Sequence, residues 1–85
     1  MGFEIRFSPT AAKQFAKLQY EKLRSRIIAS LEHLGRDPYA GKPLHGELKG
    51  DRSYRTGAFR IVYHIDLAEK SIGILRVEHR SEVYR

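Results

Sequence analysis

The stretch "FRIVYHI", residues 59–65, decides how the rest of the chain is read. β-Branched and aromatic side chains dominate it, and such residues fit a pleated, half-buried surface. Successive side chains of a strand point to opposite faces, so Phe59, Ile61, Tyr63 and Ile65 share one face and Arg60, Val62 and His64 the other. The first set is the core set, which sends Arg60 to the open face of the sheet or to its rim. "DLAEK" then reads as a hairpin loop and "SIGILRVE" as the return strand. Leu75, Val77 and His79 continue one alternation there, which partly buries His79. Upstream, residues 47–56 form another strand that turns at Thr56-Gly57-Ala58. The second half of the chain is therefore a three-stranded antiparallel meander.

The first half supplies a strand and two helices. "FEIRF" alternates Phe3, Ile5 and Phe7 with Glu4 and Arg6, the period of a half-buried strand. Ser8 is placed to cap the helix that Pro9 opens. That helix carries Ala11, Phe15 and Leu18 on one stripe and ends near Gln19 and Tyr20. A second helix runs over residues 21–34, with Leu23, Ile27, Leu31 and Leu34 on its apolar stripe and Ile28 widening it. Gly35 is the expected C-cap, and Pro38 prevents continuation. Two helices joined so tightly make an antiparallel hairpin. The expected fold is α+β: strand, helical hairpin, then meander, with the helices on one face of a small twisted sheet and the whole chain one domain.

Composition narrows the function. Eighty-five residues with 41% apolar content suffice for a thin two-layer domain and are too apolar for a disordered chain. Cysteine is absent, so disulfides and thiolate metal sites are excluded, and a cytoplasmic protein is the simplest reading. No apolar run reaches the roughly 18 residues that span a bilayer, and no signal peptide is evident. Sixteen Lys and Arg against ten Asp and Glu give a formal charge of +6, which favours anionic partners. Arg55, Arg60 and Arg76 fall on neighbouring strands, with Lys49, Arg52, Arg80 and Arg85 close by in the expected fold.

Three ordered motifs carry a resemblance to a known family. Leu44-His45-Gly46 and Leu48-Lys49-Gly50 precede Arg55-Thr56-Gly57-Ala58-Phe59-Arg60-Ile61-Val62-Tyr63, and His79-Arg80-Ser81-Glu82-Val83-Tyr84 nearly closes the chain. This set, at these spacings, resembles the RelE/ParE superfamily of type II toxins over nearly the whole length. The resemblance implies a small basic toxin neutralised by an acidic, partly disordered, RelB-like antitoxin that folds on binding, in a hetero-oligomeric complex. RelE-like members cut messenger RNA in the ribosomal A site without a metal or other cofactor, by attack of the ribose 2′-OH on the adjacent phosphate. ParE-like members instead inhibit DNA gyrase. A degenerate toxin that only binds its antitoxin is a third reading.

Site roles follow from the same resemblance. Arg60 matches the arginine that contacts the scissile phosphate, Arg80 the basic position of the C-terminal motif, and Tyr84 the tyrosine that stacks near the attacked nucleotide. Lys49, Arg52, Arg55 and Arg76 are expected RNA contacts. The family's lysine pair before the Arg-x-Gly turn is missing: Asp51, Arg52 and Ser53 stand there. The general base is thus open, with His79, Glu47 and His45 as candidates. His64 and Tyr63 read as structural, and His33 belongs to the polar side of the second helix.

Overall fold

A computed structural model describes residues 2–46 and 49–80, so Met1, Glu47, Leu48 and residues 81–85 lie outside the description. The elements run β1 (Glu4–Phe7), α1 (Pro9–Ala16), α2 (Glu21–Arg36), a 3-10 turn (Pro38–Ala40), β2 (Lys42–Pro43), β3 (Arg52–Thr56), β4 (Phe59–Asp66) and β5 (Ser71–His79). They form one five-stranded sheet in the order β1-β5-β4-β3-β2. β1 joins β5 in parallel, and the other pairs are antiparallel. The α+β class is as expected, with one strand more than the sequence suggested. That extra strand is β2, only two residues long and ending in Pro43, whose missing N–H suits an edge.

The helices cover one face. Ala11, Ile27, Leu31 and Leu34 meet Phe59, Ile61, Tyr63, Ile72, Ile74 and Val77 in a single buried cluster. Fully burying each such side chain contributes roughly 1.5–3 kcal/mol. Ser8 caps α1 as its sequence position implies, its Oγ accepting the Ala11 N–H at 3.0 Å. Tyr63 anchors the far end of the core: its hydroxyl donates to the Pro38 carbonyl at 2.6 Å and accepts the Gly41 N–H at 3.0 Å.

Several boundaries differ from expectation. α1 ends at Ala16, a turn early, while Leu18 still packs on the core from the connection. Gly35 is not a C-cap but a buried residue within α2. It is small because β1 enters against it: its carbonyl accepts the Phe3 N–H at 2.7 Å, and a Cβ there would stand 3.2 Å from the Phe3 oxygen. Ile28 does not widen the core stripe and is 46% exposed. The strand expected over residues 47–56 starts only at Arg52, since Gly50 has a φ of 101°, which a strand cannot contain. The turn at residues 57–58 closes a two-residue hairpin with positive φ at Gly57, the position that favours glycine in such loops.

The largest departure lies in β5. Ile74 pairs with Tyr63 and Arg76 with Val62, leaving Leu75 as an extra, bulged residue. Beyond it the alternation shifts by one: Ile72 and Ile74 face the helices, and then so do Val77 and His79. Without the bulge Arg76 and Glu78 would point into the core. Residues of the helical side hold it in place. The Ser8 hydroxyl donates to the Leu75 carbonyl at 2.9 Å, and the Gln14 side-chain oxygen accepts the Val77 N–H at 2.7 Å.

Candidate nucleic-acid interface

The face of the sheet opposite the helices is polar and built in cross-strand rows. Arg55 of β3 lies opposite Arg60 of β4, which lies opposite Glu78 of β5. One step along, Ser53 and Arg76 flank Val62. Val62 is apolar and only 2% exposed, so it floors this face between longer polar neighbours. A further step brings His64 opposite Gly73.

Like charges directly opposite on adjacent strands destabilise a sheet. The Arg55–Arg60 pair is therefore a local cost. Glu78 relieves one side of it: its Oε1 lies 2.9 Å from Arg60 Nη2, and its Oε2 lies 3.5 Å from Arg76 Nη1. Arg55 has no ion partner among the described residues and is exposed. Beside this row, Lys42, Ser53, Arg55 and Arg60 line an open cleft of about 660 Å³ at the β2 edge, with Leu44 on its wall. Three cations and a hydroxyl around one cleft can hold a phosphate by charge-assisted hydrogen bonds.

The expected site residues are distributed unevenly. Arg55, Arg60 and Arg76 share the open face, the first two by strand alternation and Arg76 by way of the bulge at Leu75. Arg80 follows β5, and its backbone N–H donates to the Ala58 carbonyl at 2.7 Å, which fixes it at the hairpin end beside Arg60's row. Arg52 does not join them. Its side chain points the other way along β3, with Nη2 donating to the Gly41 carbonyl at 2.7 Å and the guanidinium 5.1 Å over the Tyr39 ring. Lys49 and His45 are exposed in the loop before β3, and neither borders the cleft. The bulge puts His79 on the helix-covered face, edge-on to Phe59 with ring centroids 5.1 Å apart, so the structure does not bring it to Arg60. Tyr84 and Glu47 lie outside the described residues.

Four residues of this face carry more than the sequence reading gave them. Glu78 was given no role, although the alternation of Val77 and His79 already sets it on the other face, and the bulge before it was not anticipated. The adjacent apolar pair Ile74 and Leu75, breaking the alternation, was its signal. Lys42 was given no role in the sequence reading and borders the cleft. His64 is on the open face with its side chain 55% exposed, and its Nδ1 is 2.9 Å from Oδ1 of Asp51, whose side chain is 21% exposed. At the β1 edge, Arg6 is engaged by carboxylates: the hydrogen bond and the attraction of Glu4 raise its pKa above the usual arginine value, with Glu69 adding to this.

Comparison with known proteins bears on the family and the fold. A sequence model described as the ParE toxin of the type II toxin-antitoxin system parDE matches residues 5–84. Toxin RelG of Mycobacterium tuberculosis is 38% identical over 86 residues, covering 100% of this chain and 99% of that protein. Toxin RelE of the same organism is 30% identical over 84 residues, covering 98% and 87%. Among solved structures, the RelBE2 toxin-antitoxin complex from M. tuberculosis contains a chain with TM-score 0.85 and 35% identity, covering 95% of this chain and 94% of that one. The intact E. coli RelBE complex shares the fold at TM-score 0.77 and 15% identity, covering 91% and 95%. With its motifs, its sheet order and these relatives in agreement, the chain belongs to the RelE/ParE superfamily of type II toxin-antitoxin toxins.

Proposed function

We propose that this toxin is a cytoplasmic, ribosome-dependent mRNA endonuclease. The observation that carries the reading is the Arg55–Arg60 row beside the Lys42–Ser53 cleft, on the face the helices leave open. RNA cleavage by 2′-OH attack passes through a dianionic phosphorane, and preorganised donors aimed at that charge lower the barrier. Arg60, already oriented by Glu78, is such a donor. Arg55 and Lys42 suit the flanking phosphates, and Arg80 stands at the same end of the sheet. Similarity to toxins named RelG and RelE over nearly the full chain supports the RelE branch. The open face positions charge but offers little to align a flexible RNA strand. The ribosome would provide that alignment, holding the 2′-oxygen in line with the scissile phosphate.

The partner follows by the same reasoning. Structural relatives occur in RelBE toxin-antitoxin complexes, and a +6 chain suits an acidic antitoxin segment that folds as it binds.

Expression of the lone chain is the test. Arrested translation with cleaved messages, abolished by Arg60→Ala, is the expected result. Purified Arg60→Ala should cleave message on programmed ribosomes at least about ten-fold more slowly than wild type. Filamentation with intact messages would instead place the chain on the gyrase-inhibiting branch, and no toxicity at all would make it an antitoxin-binding remnant.

A further inference from the structure

His64 and Asp51 meet on the open face with no packing requirement to explain the contact. His64 is more exposed than buried, and its Nδ1 stands 2.9 Å from Asp51 Oδ1. With Nδ1–H donated to the carboxylate, the imidazole presents Nε2 as a lone-pair acceptor, and the carboxylate fixes both tautomer and ring orientation. We propose that His64, held by Asp51, is the general base of the RNA cleavage assigned above, and the inference rests on that assignment.

Placement supports it. His64, Val62 and Arg60 lie on one face of one strand, so the Cα atoms of His64 and Arg60 are about 13 Å apart along β4. An Arg60 side chain swung along the strand over the Val62 floor would narrow that gap to the scale of one ribose-phosphate step. Arg60 then holds the phosphate while His64 reaches the 2′-hydroxyl. Ser53, opposite Val62, lies between them. Across the strand from His64 is Gly73, where an added Cβ would meet only the His64 carbonyl oxygen, at 4.0 Å. Gly73 therefore sets no side chain directly opposite the imidazole. The other charged groups around it are Asp66 two residues along β4, Arg76 one row away on β5, and Arg6 of β1 beyond Gly73, itself paired with Glu4.

The step balances without a co-reactant other than water. His64 Nε2 takes the 2′-OH proton as the 2′-oxygen bonds to phosphorus. The P–O5′ bond breaks, and its electron pair leaves with the 5′-oxygen, which takes a proton from water. The products are a 2′,3′-cyclic phosphate and a 5′-hydroxyl, and the imidazolium returns its proton to solvent. Asp51 acts through His64 and is a positioning residue.

Single-turnover cleavage of message on programmed ribosomes by the purified full chain tests this. General base catalysis contributes typically about 10²–10⁴-fold. His64→Ala should therefore lose at least about 100-fold in rate, keep its ribosome affinity, and recover part of the rate when free imidazole is added. Asp51→Asn should slow cleavage with the same affinity retained. His64 is exposed, so His64→Ala should melt close to wild type, and His64→Gln provides a second, near-isosteric check. If wild type cuts and His64→Ala cuts equally well, or its loss is not restored by imidazole, His64 is not the base while the nuclease reading stands. If wild type leaves message intact, the nuclease reading falls and this inference with it.

Discussion

Arg60 and Glu78 face each other across β4 and β5, with Arg60 Nη2 at 2.9 Å and Nε at 3.3 Å from the same carboxylate oxygen. The other oxygen of Glu78 is 3.5 Å from Arg76. One carboxylate, its side chain only 14% exposed, thus orients two arginines of the open face and neutralises part of their charge. An incoming phosphate must share or displace it. The site is aligned but muted.

Glu78→Gln separates those two effects. The amide keeps the shape and one acceptor oxygen but removes the charge. Single-stranded RNA should bind several-fold more tightly at low salt. Its affinity should also depend more steeply on salt, the log–log slope growing by about 0.7 for each phosphate newly neutralised. Fluorescence anisotropy across a salt series reads both. Weaker binding would mean that Glu78 matters for aiming Arg60 more than for masking it.

The bulge that exposes Glu78 and Arg76 depends on Ser8, which does two jobs. Its Oγ accepts the Ala11 N–H as the cap of α1 and donates to the Leu75 carbonyl. Ser8→Ala removes a cap worth about 0.5–2 kcal/mol and orphans a carbonyl at the bulge. A loss near 2 kcal/mol and a fall in Tm of roughly 10 °C are expected by thermal denaturation. A change within 2 °C would show that the cap and the bulge do not rely on this hydroxyl.

Tyr63→Phe tests the other end of the core. Tyr63 is fully buried, and its hydroxyl serves both the Pro38 carbonyl and the Gly41 N–H. Phenylalanine would leave both backbone groups without that partner, at a cost of about 1–3 kcal/mol. Chemical denaturation should show the midpoint falling with an unchanged slope. Gly41→Ala should be worse, because a Cβ there would stand 2.5 Å from both the Tyr63 hydroxyl and the Ser53 carbonyl oxygen.

The sequence carried the fold well because its signals were local and mutually consistent. Alternation in residues 59–65, the Ser-Pro start of α1 and the glycine turn before Phe59 each have a short-range cause. What it hid depends on distant contacts. Gly35 looked like a helix stop because the strand that packs on it lies some thirty residues earlier in the chain. The alternation of Val77 and His79 was legible, but the bulge at Leu75 was not, because it is stitched by Ser8 and Gln14 from the other end of the chain. It returns Ile72 and Ile74 to the covered face while Arg76 and Glu78 stay on the open one. Asp51 and His64 are thirteen residues apart and join only through the β3–β4 register. Charge alone could not tell Arg52 from Arg55, since both are arginines on one strand and differ only in parity.

That last distinction gives the most discriminating pair of variants. Arg52 is directed at the Tyr39 and Gly41 carbonyls, so it ties the 3-10 turn and β2 to β3. Arg55, three residues on, is exposed beside the cleft with no ion partner among the described residues. Arg52→Ala should lower Tm, since hydrogen bonds to a charged donor are worth about 1.5–3 kcal/mol, and leave the salt dependence of RNA binding unchanged. Arg55→Ala should leave Tm alone or raise it slightly, because it removes a like-charge cross-strand pair with Arg60. Its RNA affinity should fall, with the salt slope shallower by about 0.7. The two arginines thus predict opposite patterns in the same two measurements. If Arg52→Ala lost RNA affinity with a shallower slope at wild-type stability, its guanidinium would have to leave Gly41 to contact RNA, and the division of β3 into a structural and a binding face would be wrong.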